Sequence, residues 1–148
     1  MTFDQVIWTD KMRAIFADDA PVIHLCGAMG TSKTLVAGLL FFDRVMNAPA
    51  NVNQFAIIGV SSVLVKRNFV DKADSLYNIH RGLCTPFSDG DKDAAGSHFC
   101  IYGKYGKKIV YIAGADNKTS FTNILSLDLG GILLDELSVL HPDVRREA

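Results

Sequence analysis

Val22-Ile23-His24-Leu25-Cys26-Gly27-Ala28-Met29-Gly30-Thr31-Ser32-Lys33-Thr34 is the stretch on which the fold turns. Its first five residues are a short, β-branched-rich apolar run ended by glycine, which predicts a buried strand. Its last eight match the phosphate-binding pattern G-x-x-x-x-G-K-[ST] at every constrained position but one, where Ser32 stands in place of glycine. The apolar stretch that follows, Leu35 to Met46, is long enough for a helix before Asn47-Ala48-Pro49 interrupts it. Strand, loop and helix in that order aim successive backbone N–H groups and the helix N-terminus at an anion. In such a loop, Gly27 to Thr31 wrap the phosphates, Lys33 reaches the β- and γ-phosphates as a point charge, and the Thr34 hydroxyl ligates the Mg²⁺ that bridges them. Ser32 carries a local cost of about 1 kcal/mol if its φ is positive, because a Cβ crowds the backbone there.

A nucleotide site of this kind needs an acidic residue at the end of a neighbouring strand. Gly131-Ile132-Leu133-Leu134-Asp135-Glu136 supplies an apolar strand followed at once by two carboxylates. Asp135 is placed to hold Mg²⁺, mostly through water, and Glu136 to orient or deprotonate a water in line with the γ-phosphate. Read alone, the pair more readily caps a following helix, with Glu136 solvated; beside a phosphate loop the metal-site reading prevails.

Elsewhere the hydrophobic period alternates between helix and strand. Val6, Ile7, Met12, Ile15 and Phe16 predict a helix over Phe3 to Ala17, broken before Pro21. Phe55 to Val60 predicts a second buried strand, and Ser61 or Ser62 caps a helix running to about Tyr77. Arg81 to Ser97, with Gly82, Pro86, Gly90 and Gly96, reads as a loop. His98 to Tyr102 and Lys108 to Ala113 flank Gly103-Lys104-Tyr105-Gly106-Lys107 as a hairpin. Strands alternating with helices predict an α/β fold, a three-layer sandwich of the P-loop NTPase type with a mainly parallel central sheet, built as one domain over residues 1–148.

Composition narrows the partners. Fifteen Lys plus Arg against sixteen Asp plus Glu give a net charge of −1, so no global positive field gathers nucleic acid or anionic membrane. The longest apolar stretch, Leu35 to Phe42, is far below the roughly 18 residues of a membrane span, and the acidic start lacks a signal peptide's basic region, so a cytoplasmic address and no membrane contact are expected. Three cysteines without C-x-x-C spacing indicate reduced thiols rather than a disulfide framework. His80, Cys84, His98 and Cys100 have no common zinc spacing and read as scattered loop and core residues. Asp89, Asp91 and Asp93 open like an EF-hand loop, but Ala94 and Cys100 occupy the positions that need glycine and glutamate, leaving a solvated acidic loop. Lys104-Tyr105-Gly106-Lys107-Lys108 is a basic turn that suits phosphate contacts and stacking, or simply a solvated hairpin tip. His141 before Pro142 leads into a last helix.

Taken together, GAMGTSKT, IAGADNKTSF and SLDLGGILLDELSVLHPD resemble the ATPase domain of the large terminase subunit of tailed phages, over nearly the whole chain. In that family a Gly-(Gly or Ala)-x-Asp segment precedes a leucine- and glycine-containing stretch ending in Leu-Asp-Glu, an order that Ala113-Gly114-Ala115-Asp116 and Leu127 to Glu136 reproduce. The chain differs in having Ala28 and Met29 where terminases commonly carry a basic residue, and Lys11 and Met12 where a glutamine reads adenine, with Gln5 lying too early. The resemblance implies an ATP-hydrolysing motor that drives viral DNA into a procapsid in a phage-infected bacterial cell. It implies ATP and Mg²⁺ as cofactors, and double-stranded DNA, the small terminase subunit and the portal as partners. The sequence runs twelve residues beyond Glu136, so the family's coupling motif and nuclease domain are expected to be absent, and a homo-oligomeric ring belongs to the full-length protein. Two other readings stay open. Gly27-Ala28-Met29-Gly30 is similar to shikimate-kinase-type loops, which suggests a small metabolite kinase, and a non-catalytic nucleotide-binding remnant fits the length.

Overall fold

The computed structural model describes residues 3–26, 32–90 and 96–136. Four strands form one sheet in the order β2-β3-β1-β4, where β1 is Gln54–Gly59, β2 His98–Gly103, β3 Gly106–Gly114 and β4 Ile132–Leu134. β1 lies parallel to both β3 and β4, and only the hairpin partner β2 runs antiparallel. The mainly parallel sheet expected from sequence is therefore present.

Strand residues sort by parity onto two faces, because successive side chains point to opposite sides. Phe55, Ile57, Phe99, Ile101, Val110 and Ile112 face one way and pack against α2 (Lys33–Asn47), α3 (Ser62–Lys66) and α4 (Leu76–Ile79). Ala56, Ile58, Tyr111 and Ala113 face the other way, against Phe121 and Ile124 of α5 (Lys118–Leu125). Helices on both faces make the three-layer sandwich. A smaller cluster of Val6, Trp8, Met12 and Phe16 docks the N-terminal segment on Leu39 of α2 and Ile79 of α4.

The first predicted helix is broken. A short 3₁₀ turn at Phe3–Gln5 precedes α1, which spans only Asp10–Ala17. Thr9 starts it, its hydroxyl accepting from Met12 N at 3.2 Å, and a capping residue in extended backbone cannot also be mid-helix. The helix expected from Ser61 to Tyr77 also divides. Ser61 caps it as anticipated, accepting from Leu64 N, but after Lys66 the chain widens into a π-helical turn, Arg67–Asp71, and leaves the helix at Lys72. Ser75 then caps α4, accepting from Asn78 N at 3.1 Å.

A larger correction concerns Val22–Cys26, which is not a strand and has no place in the sheet. Val22 is 83% exposed, and burial alternates along the segment, with Ile23 and Leu25 half-buried and Val22, His24 and Cys26 exposed. An apolar run does not specify a strand without a partner edge to satisfy its backbone. Residues 27–31 lie outside the described residues, as do Asp91, Asp93, Ala94, His141 and Pro142, so those expectations have no structural counterpart here.

The predicted hairpin is present, with Lys104-Tyr105 at its tip and Gly106 at φ 109°. Lys108, however, leaves the basic turn. It shares the parity of Val110 and Ile112, is fully buried, and donates from Nζ to the carbonyls of Pro49 and Val52, both at 2.6 Å. That lysine pins the 49–52 turn to the sheet. Within the predicted Arg81–Ser97 loop, Cys84 and Ser88 pair with β2 through the bridges Cys84↔Ile101 and Ser88↔His98.

The buried His80 and the half-buried Cys84 contribute a pH window. His80 stacks on Phe42 with ring centroids 3.6 Å apart and donates from Nδ1 to Leu76 O, and burial holds it below its ordinary 6.5. Burial, reinforced by Cys100, pushes the Cys84 thiol from 9.0 up to about 12. Below pH 6.5 the unfolded chain takes up a proton that folded His80 refuses, and above pH 9.0 it loses a proton that folded Cys84 keeps. These two groups therefore leave stability level between those limits and lower it on either side. Urea midpoints across pH should show both falls, and Cys84→Ala should make the alkaline fall shallower. An unchanged alkaline limb in that variant would contradict the assignment.

Candidate functional site

The parallel strands β1, β3 and β4 all end at the same edge of the sheet, where a crevice normally opens in α/β folds. Gly59 and Gly114 are register partners there, closing β1 and β3. A Cβ on Gly114 would lie 2.2 Å from Ser62 N, and one on Gly59 would lie 2.6 Å from Val65 Cγ2. Both glycines let α3 settle directly on the strand ends. The Gly114 of the Ala113-Gly114-Ala115-Asp116 segment thus has a steric reason to be glycine.

Beside these ends is a cleft of about 280 Å³. Ser32, Lys33 and Thr34 line it from the start of α2, and Glu136 lines it from just beyond β4. Residues 103 positions apart in sequence thereby share one wall-to-wall space. Asp135, the neighbour of Glu136, hangs on the sheet through its N–H to Ile58 O at 2.8 Å. Its carboxylate Oδ2 accepts from Asn68 Nδ2 at 3.2 Å.

Among the described residues, only Ser32 and Glu136 are non-glycine residues at positive φ, 56° and 57°, and both line this cleft. A left-handed conformation at such residues costs on the order of 1–3 kcal/mol, and strain of this kind clusters at ligand-binding and catalytic positions. The glycine missing from the phosphate-loop pattern is therefore missing at a position that does adopt the left-handed conformation.

Sequence reading missed the opposite wall. Asn68 and Phe69 from the π-helical turn, with Lys72, Asp74 and Leu76 beyond it, complete the lining. Asn68, Phe69, Lys72 and Leu76 would share one face of a continuous helix, whereas Asp74 would not; the chain leaves the helix at Lys72, and Asp74 lines the cleft with them. The weak sequence signal was Ser75, a second helix cap inside a supposed helix. Two lysines, Lys33 and Lys72, and no arginine line the cleft among the described residues.

The other candidates do not assemble. Among the described residues no three His, Cys, Asp or Glu side chains converge as a metal site, which sets aside the His80, Cys84, His98 and Cys100 grouping. With its thiol raised to about 12, Cys84 stays protonated at neutral pH and is a poor ligand. Tyr102 and Tyr105 at the hairpin tip are half exposed, with Lys104 Nζ 5.2 Å from the Tyr105 ring centroid, at the far end of β3 from the cleft. No helix among the described residues is long and apolar enough to cross a membrane.

No protein family and no curated protein matches this chain in sequence. In structure it is similar to the large terminase of a thermophilic bacteriophage, seen in two crystal forms. Against one form the TM-score is 0.67 at 17% identity, covering 97% of this chain and 36% of the terminase. Against the other it is 0.67 at 16% identity, covering 95% and 34%. The chain has a terminase-like fold, and it spans about a third of the length of that protein.

Proposed function

We propose that this chain is an ATP-binding and ATP-hydrolysing motor domain of the terminase kind, acting on double-stranded DNA with a portal and a small terminase subunit as part of a ring. The observation that carries the reading is the cleft itself, which brings Lys33 and Thr34 together with Glu136 and, one residue away, Asp135. Its volume lies near the lower end of the roughly 300–1,000 Å³ typical of small-molecule sites, which suits the polyphosphate end of a nucleotide.

In this proposal Lys33 holds the β- and γ-phosphates, with Gly27, Ala28, Met29, Gly30 and Thr31 supplying backbone N–H groups and Ser32 leading into α2. Thr34 and Asp135 would hold Mg²⁺, which when bound would neutralise phosphate charge. The donor set fits such an ion: a hydroxyl and a carboxylate are hard oxygen ligands. Glu136 orients the attacking water and takes its proton. The strained backbone at Glu136 fixes where its carboxylate can go.

Lys33→Ala tests the site. Losing a charge-assisted phosphate contact should weaken binding of a fluorescent ATP analogue by roughly ten- to a hundredfold, since such contacts contribute about 1.5–3 kcal/mol. Affinity within about twofold of the parent would sink the reading. Turnover by this chain alone should lie below the ~1 s⁻¹ low end of typical enzymes, because among the described residues no arginine lines the cleft to meet charge on the transferred phosphoryl. Phosphate release measured with and without duplex DNA or a small hydroxyl acceptor separates a motor from a metabolite kinase.

A further inference from the structure

We infer that Asn68 is a member of the cation-holding end of the cleft, its amide N–H₂ orienting Asp135 and its Oδ1 accepting from a water bound to the cation. The inference rests on the nucleotide-site reading of the cleft and adds a residue to it.

Three observations point the same way. Asn68 Nδ2 donates to Asp135 Oδ2 at 3.2 Å, a contact across 67 residues of sequence. Since the carboxylate can only accept, the chemistry fixes which end of the amide faces it, and Oδ1 must point elsewhere. That Oδ1 is buried and has no hydrogen-bond partner, alone among the buried side-chain polar atoms of the described residues. An acceptor left in this way costs about 1–3 kcal/mol, so a purely structural asparagine would be expected to find a donor. Finally, Asn68 sits in a π-helical turn, a rare geometry that recurs at functional sites, and this turn continues α3, whose Val65 a Cβ on Gly59 would push from the strand ends.

The unmet need in this corner is for donors. Asp135 and Asn68 together present carboxylate and amide oxygens, and no lysine, arginine or hydroxyl among the described residues donates to Asn68 Oδ1. A divalent cation with its bound waters supplies positive charge and O–H donors at once. An asparagine that orients a ligating carboxylate acts through that ligand, and losing such a partner typically weakens metal binding roughly 10- to 100-fold.

Mn²⁺ serves as the probe, titrated into the 148-residue chain by electron paramagnetic resonance, alone and with ADP, for the parent, Asn68→Leu and Asn68→Asp. Asn68→Leu keeps the volume and removes both polar ends, so Mn²⁺ affinity should fall at least about tenfold, with metal-free ADP binding within twofold of the parent. Asn68→Asp restores an oxygen acceptor beside Asp135, so Mn²⁺ affinity should return to the parent's or exceed it. A purely structural asparagine predicts instead that both variants lose thermal stability and neither recovers metal affinity. The inference is overturned if Asn68→Leu binds Mn²⁺ within twofold of the parent, if Asn68→Asp binds it no better than Asn68→Leu, or if the parent binds no Mn²⁺. Mn²⁺ binding that depends on Asn68 while ADP binds nowhere would keep the cation site and overturn the nucleotide reading. ADP binding through Lys33 with Mn²⁺ indifferent to residue 68 would do the reverse.

Discussion

Replacing Glu136 with glutamine is expected to lower ATP hydrolysis by roughly 10²- to 10⁴-fold, the contribution typical of a general base, while nucleotide affinity stays within about twofold. Glutamine keeps the length and the carbonyl acceptor of glutamate but cannot take the proton of the attacking water. The loss should therefore fall on the chemical step and leave binding alone, since removing an interaction made only in the transition state lowers kcat without raising KM. Glu136 lines the cleft with Lys33 and Thr34, yet its backbone at φ 57° anchors it differently from the strand residues before it. Single-turnover phosphate release gives the rate, and titration with a fluorescent analogue gives the affinity. Equal hydrolysis by variant and parent would remove Glu136 from the chemistry. A parallel loss of affinity would instead assign it to binding.

Gly114→Ala is expected to destabilise the fold by about 3 kcal/mol or more, at or beyond the upper end of the usual 1–3 kcal/mol for overpacking. The added Cβ would fall 2.2 Å from Ser62 N and 2.6 Å from Ser61 C, and these are backbone atoms that cannot rotate away. Relief requires α3 to lift from the strand ends. That movement would also carry Asn68 from Asp135, so Mn²⁺ binding should weaken in whatever fraction stays folded. Gly82→Ala is the control, because nothing lies within 4 Å of its Cβ and it should unfold near the parent's midpoint. Urea denaturation followed by far-ultraviolet circular dichroism reads both. A Gly114→Ala midpoint corresponding to a loss under about 1 kcal/mol would show that the strand end yields more easily than close packing allows.

What the sequence determined by itself is a set of elements whose local pattern suffices. The long helix after Lys33-Thr34, the β1 strand, the hairpin of β2 and β3, and the apolar run into Asp135-Glu136 each follow from a hydrophobic period and its punctuation, and each is found with bounds within a few residues. The positive φ of Ser32 was foreseeable too, because the pattern it departs from has glycine there. Only the tertiary structure decided which apolar segments find partners. Val22–Cys26 is as apolar as β1 but stays outside the sheet, since strand formation depends on an available edge and not on the run alone. Lys108 reads as one more charge on a basic turn until its shared parity with Val110 and Ile112 puts it in the core, where two carbonyls satisfy it. The break at Lys72 depends on caps competing with helix continuation, a balance of about 1 kcal/mol per cap that periodicity does not resolve. The contact between Asn68 and Asp135 spans 67 residues, so no local pattern could contain it; it exists because two registered glycines allow a helix to rest on the ends of parallel strands.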